Sequence, residues 1–194
     1  MQPKSSKMFE QLIQLTKQFG YQSVVTNSNI PNEQNEAVIN ETTSSIFSGL
    51  QKIASEGAFD QLASLFQGNN AQDTSNPVVQ KLIQQLSGNL GEKFGLAEGT
   101  ATGVAGNIIP KILGSLIGKA KDPNDSSFQI SDVIAAIAGN SGQNSSIMDA
   151  ISKYGVQFGL DKDSDGKVDA CEVIDMVTKN SGGLGGLLGK LFGK

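Results

Sequence analysis

Apolar side chains recur at intervals of three and four residues along the first part of the chain, the spacing of amphipathic helices. A first helix is predicted over residues 8–19. A second enters at Pro31 and Asn32 and stops at Gly57, and a short third helix covers residues 58–68. The apolar positions that define them are Phe9, Leu12, Ile13, Leu15 and Phe19, then Ile39, Ile46, Leu50 and Ile53, then Phe59, Leu62, Leu65 and Phe66.

A second set of three helices follows with the same periodicity. Asn76 is placed as an N-cap and Pro77 at the first helical position, where proline is favoured. A fifth helix follows Gly95, and its interior Pro110 is expected to kink or split it because proline removes a backbone donor. A sixth, short helix begins at an N-cap at Ser131. The apolar positions are Val79, Leu82, Ile83, Leu86 and Leu90, then Val104, Ile108, Ile112, Leu113, Leu116 and Ile117.

The two sets resemble copies of one unit, in the order long, long, short. Leu12-Ile13-Gln14 matches Leu82-Ile83-Gln84, and "DQLASLFQGN" resembles "DVIAAIAGN". The pattern predicts an all-α protein, a six-helix bundle built from a duplicated three-helix unit. The predicted divisions are a first half at 1–67, a polar linker at 68–76, a second half at 77–139, a linker at 140–146, a helix-loop-helix at 147–180 and a Gly/Leu-rich tail at 181–194.

The stretch "DKDSDGKVDACE", residues 161–172, fills every fixed position of an EF-hand calcium loop. A hard cation needs six to eight oxygen ligands, which alternate side chains of a curled loop supply. Gly166 permits the sharp turn, and a bidentate Glu172 favours calcium over magnesium. The predicted Ca²⁺ ligands are Asp161, Asp163, Asp165, the carbonyl of Lys167, Asp169 directly or through a water, and Glu172.

This loop has no second copy in the chain. Val168, at its eighth position, is the apolar residue expected to pack against a neighbouring loop. Either the loop pairs with its copy on another chain, which predicts a calcium-dependent homo-oligomer, or it packs against the bundle as a structural clip. Gly155 and Gly159 weaken the helix that enters the loop by about 1 kcal/mol each relative to Ala.

The tail, residues 181–194, sets leucines and a phenylalanine on one helical face, but its glycines oppose a helix by about 1 kcal/mol each. It therefore needs a surface to fold on. That surface is the protein's own core, a groove on a partner protein, or a membrane interface. Two lysines give only weak attraction to anionic lipid.

Composition excludes several function classes. The chain has a net charge of −4 and no arginine, which argues against nucleic-acid binding. It has no histidine and one cysteine, Cys171, which removes the usual general base, thiol–imidazole pairs, structural zinc and an internal disulfide. The Gly-rich run "GLAEGTATGVAG", residues 95–106, lacks the features of a phosphate loop and indicates close helix packing. No signal peptide or membrane span is evident, so a cytoplasmic location is expected.

The segments "PNEQNEAV", "PVVQKLIQQLSGNLGEKFGL" and "IIPKILGSLIGKA", with the Gly/Leu-rich terminus, resemble the YidB-like family of bacterial proteins. The resemblance covers about residues 8–140 and the tail. It implies a bacterial protein with a small all-helical fold, and that family has no assigned catalytic residues.

These features together predict a calcium-binding protein that is not an enzyme. In this reading Ca²⁺ orders the EF-hand, and the bundle serves as an interaction or self-assembly scaffold. The alternative is a membrane-surface or envelope-associated binding protein docked through the tail.

Overall fold

The computed structural model describes residues 4–67 and 69–122, together with Val133, Ala136, Ile137, Gly155, Val156 and Val168. The chain forms five α-helices there: α1 (Lys4–Gly20), α2 (Asn35–Ser55), α3 (Phe59–Ser64), α4 (Pro77–Phe94) and α5 (Glu98–Lys121). No β-strand occurs in this part of the chain, so the all-α prediction is confirmed for it. None of the helices in these ranges has the length and apolar character needed to cross a membrane.

The two ends of α4 follow from local sequence signals. Before the helix, the Oδ1 atom of Asn76 accepts a hydrogen bond of 2.9 Å from the backbone N–H of Val78, one of the donors that a first turn leaves unpaired. Pro77 opens the helix, where no partner for its missing N–H is needed. Gly95 ends it in a left-handed conformation with φ of 64°, which glycine adopts without steric penalty. The predicted N-cap and first-turn proline are confirmed.

α1 continues into a π-helical turn, Tyr21–Val25. The backbone N–H of Thr26 donates to the carbonyl of Tyr21 at 3.1 Å, which is the five-residue spacing of a π-helix. The turn buries Val24 and leaves Tyr21 61% exposed. π-Helical turns are rare in proteins, and those that do occur are often found at functional sites.

The four long helices form one closed bundle. α1 packs against α2 and α5, and α4 packs against the same two helices, while the short α3 lies against α2 and α4. A single apolar core runs through the bundle. Each long helix contributes fully buried side chains to this core, for example Leu12, Ile46, Leu86 and Ile112. The two predicted three-helix halves therefore share one core.

α2 and α4 approach closely at Gly49. A Cβ atom added to Gly49 would come within 2.3 Å of the Cδ2 atom of Leu82, and Leu82 is itself buried in the core. The absence of a side chain is what allows the two helices to lie this near to each other.

α5 runs unbroken past Pro110, so of the two predicted effects, a kink or a split, the split does not occur. Pro110 has no N–H to donate to the carbonyl of Gly106, its partner one turn earlier. Ile109 before the proline and Ile112 after it are both fully buried. Burial of apolar side chains on both sides of the proline holds the helix together across the missing hydrogen bond.

The predicted linker at 68–76 is packed against the bundle where it is described. A 3₁₀ turn, Asn70–Gln72, lies against α5 and buries Ala71. The side chain of Gln72 covers Gly114 of α5 so closely that an added Cβ there would meet it at 2.6 Å. The polar composition of this segment is that of a folded surface loop.

The sixth predicted helix falls largely outside the described residues. Val133, Ala136 and Ile137 are helical and buried, and positions spaced by three and four residues share one helix face. They agree with the predicted short helix, and the duplication of the three-helix unit stays a prediction.

Candidate functional site

The predicted calcium ligands lie outside the described residues, as do the predicted linker at 140–146 and the tail at 181–194. The ligands concerned are Asp161, Asp163, Asp165, Lys167, Asp169 and Glu172. Within the predicted helix-loop-helix, Gly155 and Val156 form a turn and are not part of a continuous α-helix, which agrees with the low helix propensity of glycine.

Val168 is the one residue of the loop whose surroundings are described. Its side chain is 8% exposed and belongs to the same apolar core as the bundle helices. Its backbone lies in neither helix nor strand. The eighth position of the loop is therefore buried, as its apolar character predicts, and the core that receives it is that of this chain.

The donor set of the loop suits calcium by its chemistry. Five carboxylates and one backbone carbonyl at the six ligand positions offer only oxygen atoms, the ligands that hard divalent cations prefer. The loop contains no imidazole, and its one thiol, Cys171, is at a position that supplies no ligand, so the softer transition metals are not favoured.

The chain that follows α5 is also tied to α2. The Nε2 atom of Gln51, on α2, donates a hydrogen bond of 3.1 Å to the carbonyl of Ala136. Ala136 is buried beside Val133 and Ile137. The described residues between α5 and the predicted calcium loop thus make both polar and apolar contacts with the bundle.

A network of polar side chains joins α2 to α4. It consists of Glu41, Ser45, Asn89 and Lys93. The ammonium of Lys93 lies 2.7 Å from Oε2 of Glu41, and the amide of Asn89 donates to Oε1 of Glu41 at 3.0 Å and to Oγ of Ser45 at 2.9 Å. Oγ of Ser45 in turn donates to Oε1 of Glu41 at 3.2 Å. Glu41 therefore has three partners within the bundle, so its carboxylate serves to join the helices.

Within residues 4–67 and 69–122 and the isolated described positions, no group of three or more Asp, Glu, Cys or His side chains could hold a metal ion.

One described acid has a shifted pKa. The Oδ1 atom of Asp73 accepts hydrogen bonds from the backbone N–H of Ser75 at 2.8 Å and from its hydroxyl at 2.7 Å, and these two bonds lower the pKa of Asp73 below its usual value of 3.8.

A groove runs along α5, and we call it the α5 groove. It consists of two cavities of about 560 and 400 Å³ that both border on Asn107 and Lys111. The larger cavity lies between α5 and residues 22–29, which include most of the π-helical turn. The smaller lies between α5, Phe19 and the loop before α4. The lining extends along α5 from Gly99 to Ser115, about 24 Å of helix at 1.5 Å per residue.

Three glycines of α5 face this groove. A Cβ added to Gly99, Gly103 or Gly106 would meet no described atom within 4 Å, so the predicted close helix packing of the run at 95–106 is wrong at these positions. An interior helix glycine costs about 1 kcal/mol relative to Ala. No contact among the described residues requires a glycine at Gly103 or Gly106, so packing does not explain this loss of helix stability.

The lining of the α5 groove is polar in its larger cavity and mixed in the smaller one, which Phe19 and Pro110 also border. Side-chain amides and hydroxyls predominate in the larger cavity, and among the described lining residues of both cavities Lys111 is the one charged side chain and no carboxylate occurs. Asn107 donates its Nδ2 proton to the carbonyl of Gly103 at 2.8 Å, which fixes the side chain over the groove floor. Lys111 is exposed and makes no hydrogen bond or ion pair with another described residue.

Sequence reasoning missed the groove because no motif marks it. Its residues come from α1, the π-helical turn, the loop before α4 and α5, and only the tertiary fold brings them together. The one local signal was the run of glycines at positions 99, 103 and 106, none of which the packing of the described residues requires. Comparison with known protein families, with curated protein sequences and with solved structures found no match to this chain, so its resemblance to the YidB-like family rests on the quoted segments alone.

Proposed function

We propose that this chain is a non-enzymatic, calcium-binding helical protein in which the EF-hand loop fastens the C-terminal segment to the bundle. The bundle then serves as a scaffold for protein interaction. The proposed ligands are the side chains of Asp161, Asp163, Asp165, Asp169 and Glu172 and the carbonyl of Lys167.

The observation that carries this proposal is the burial of Val168 in the core of the bundle. In a paired EF-hand the eighth residue packs against the neighbouring loop. Here that side chain is already in contact with apolar residues of its own chain. This supports the structural clip over pairing between two copies.

Burial of Val168 also suggests how ion binding and folding are coupled. Five acidic and two basic side chains leave a formal charge of −3 on residues 161–172. Without a cation these carboxylates repel one another and oppose closure of the loop around Val168, whereas a bound Ca²⁺ would neutralise them.

The first test is thermal unfolding of the full chain in chelator and in calcium, with mass measured by size-exclusion chromatography and light scattering. Ligand binding to the folded state alone stabilises it by about 2.7 kcal/mol at a concentration one hundred times the Kd. We therefore expect a rise in Tm with calcium at constant mass. Glu172→Gln should abolish the rise, while Asp175→Asn, which removes one charge just outside the loop, should retain it.

The outcomes separate the alternatives. A mass that doubles in calcium and stays small in Glu172→Gln would replace the clip with an assembly switch. An unchanged Tm at millimolar calcium in the unmodified chain would refute calcium binding itself. Equal effects of Glu172→Gln and Asp175→Asn would show that the response is one of general charge and not of the loop.

A further inference from the structure

The α5 groove has the properties of a binding site for a hydroxyl-rich ligand. The side chains of Gln22, Asn29 and Thr100 border its larger cavity. Amides and hydroxyls both donate and accept hydrogen bonds. A ligand with many hydroxyl groups offers a donor and an acceptor at each of them. Its hydroxyls can therefore pair with the amides and hydroxyls of the groove.

The backbone of α5 adds a further acceptor. Gly106 and Pro110 both border the smaller cavity. Because Pro110 has no N–H, the carbonyl of Gly106 lacks its normal helical donor. A hydroxyl group that reaches this carbonyl from the cavity would supply that hydrogen bond.

Lys111 gives the groove its charge. It borders both cavities and carries the only charge among the described lining residues. An anionic group on the ligand would find attraction there and no carboxylate in the lining to oppose it.

Other ligand classes fit less well. Nucleic acid needs several cations along its backbone, and the groove has one. An amphipathic helix needs a row of apolar pockets, and an added strand needs a free sheet edge. Pockets for small organic ligands are mostly apolar, whereas amides and hydroxyls predominate in the larger cavity of this groove.

We propose that the α5 groove binds a sparsely acidic polysaccharide, a chain of mostly neutral sugar rings that carries an occasional carboxylate. Its hydroxyls bond to the amide side chains and to the carbonyl of Gly106, and one carboxylate pairs with Lys111. A groove of about 24 Å suits several linked rings rather than one. This site does not depend on the calcium loop.

The test is calorimetric titration of the full chain with a neutral oligosaccharide that carries one uronic acid, called the acidic oligomer below, in sodium buffer with chelator so that the calcium loop plays no part. An uncharged oligosaccharide of equal length and poly-glutamate serve as comparison ligands. Gly103→Leu fills the groove floor. Gly118→Leu is the matched control, because Gly118 is also in α5 and also faces open space but does not border the groove.

We expect the acidic oligomer to bind most tightly. Gly103→Leu should weaken binding on the order of tenfold or more, and Gly118→Leu should leave it unchanged. Lys111→Gln should weaken the acidic oligomer by up to about fivefold and leave binding of the uncharged one unchanged. Thermal melting confirms folding of each variant, and Asn107→Ala replaces Gly103→Leu if the latter does not fold.

Three results would overturn the proposal. They are no binding of any oligosaccharide at millimolar concentration, equal weakening by the groove variant and the Gly118→Leu control, and binding of poly-glutamate as tight as that of the acidic oligosaccharide.

Discussion

The replacement of Val168 by alanine tests whether the proposed calcium loop is fastened to the bundle. Val168 is 8% exposed in the core, and Val156, twelve residues earlier, is 44% exposed. The same substitution at both positions removes the same atoms from a buried and a partly exposed site. Val156→Ala is therefore the matched control for Val168→Ala.

The magnitude follows from the burial of the two side chains. Valine to alanine removes two carbon atoms, worth about 0.8 kcal/mol each when buried, and the cavity left behind adds to the loss. We expect Val168→Ala to lower the free energy of unfolding by roughly 2 kcal/mol. Val156→Ala should lower it by less than about 1 kcal/mol.

Urea unfolding followed by circular dichroism measures both changes, in chelator and in calcium. If the ion orders the loop around Val168, the difference between the two variants should be larger in calcium than in chelator. Equal free energies of unfolding for the two variants in both solutions would refute the argument that Val168 anchors the loop.

Two further predictions concern the described helices. Gly49→Ala should melt below Gly88→Ala by roughly 4–8 °C, because a Cβ at Gly49 collides with Leu82 while Gly88 faces open space; equal melting temperatures would contradict the close approach of α2 and α4. Because the folded-state pKa of Asp73 is below its usual value of 3.8, its contribution to stability is present above pH 3.8 and is lost as the pH falls through the lowered pKa. Asp73→Asn should therefore show a shallower loss of Tm with acid than the unmodified chain, and parallel curves would show that the hydrogen bonds from Ser75 do not matter.

The sequence predicted those parts of the fold that depend on neighbouring residues. The N-cap at Asn76 and the proline at Pro77 act within one turn, so their effect can be inferred without the tertiary structure. Burial in α2 was harder to predict. Thr42 and Thr43 are fully buried because their hydroxyls donate to the carbonyls of Val38 and Ile39, so polar side chains occupy positions that a hydrophobic pattern assigns to solvent.

The same distinction between local and tertiary determinants applies to the two candidate sites, the EF-hand loop and the α5 groove. The spacing of an EF-hand loop is contained in twelve consecutive residues, so its chemistry can be predicted from the sequence. The burial of Val168 depends on helices that are distant in the sequence, so it could not be predicted from the sequence. The glycines of α5 were misinterpreted because low side-chain volume fits either a close helix contact or an open groove, and only the positions of neighbouring atoms distinguish the two.

The closed arrangement of the four long helices has a consequence for synthesis of the chain. α1 packs against α2 and α5, and α5 begins only at Glu98. When α1 and α2 leave the ribosome, α1 still lacks one of its two neighbours, and the apolar side chains that will face α5 remain uncovered. Folding must therefore wait for a contact across most of the bundle sequence, which slows it and lengthens exposure to aggregation. Destabilising changes in α5 should consequently reduce the yield of folded protein in cells more than equal changes in α2.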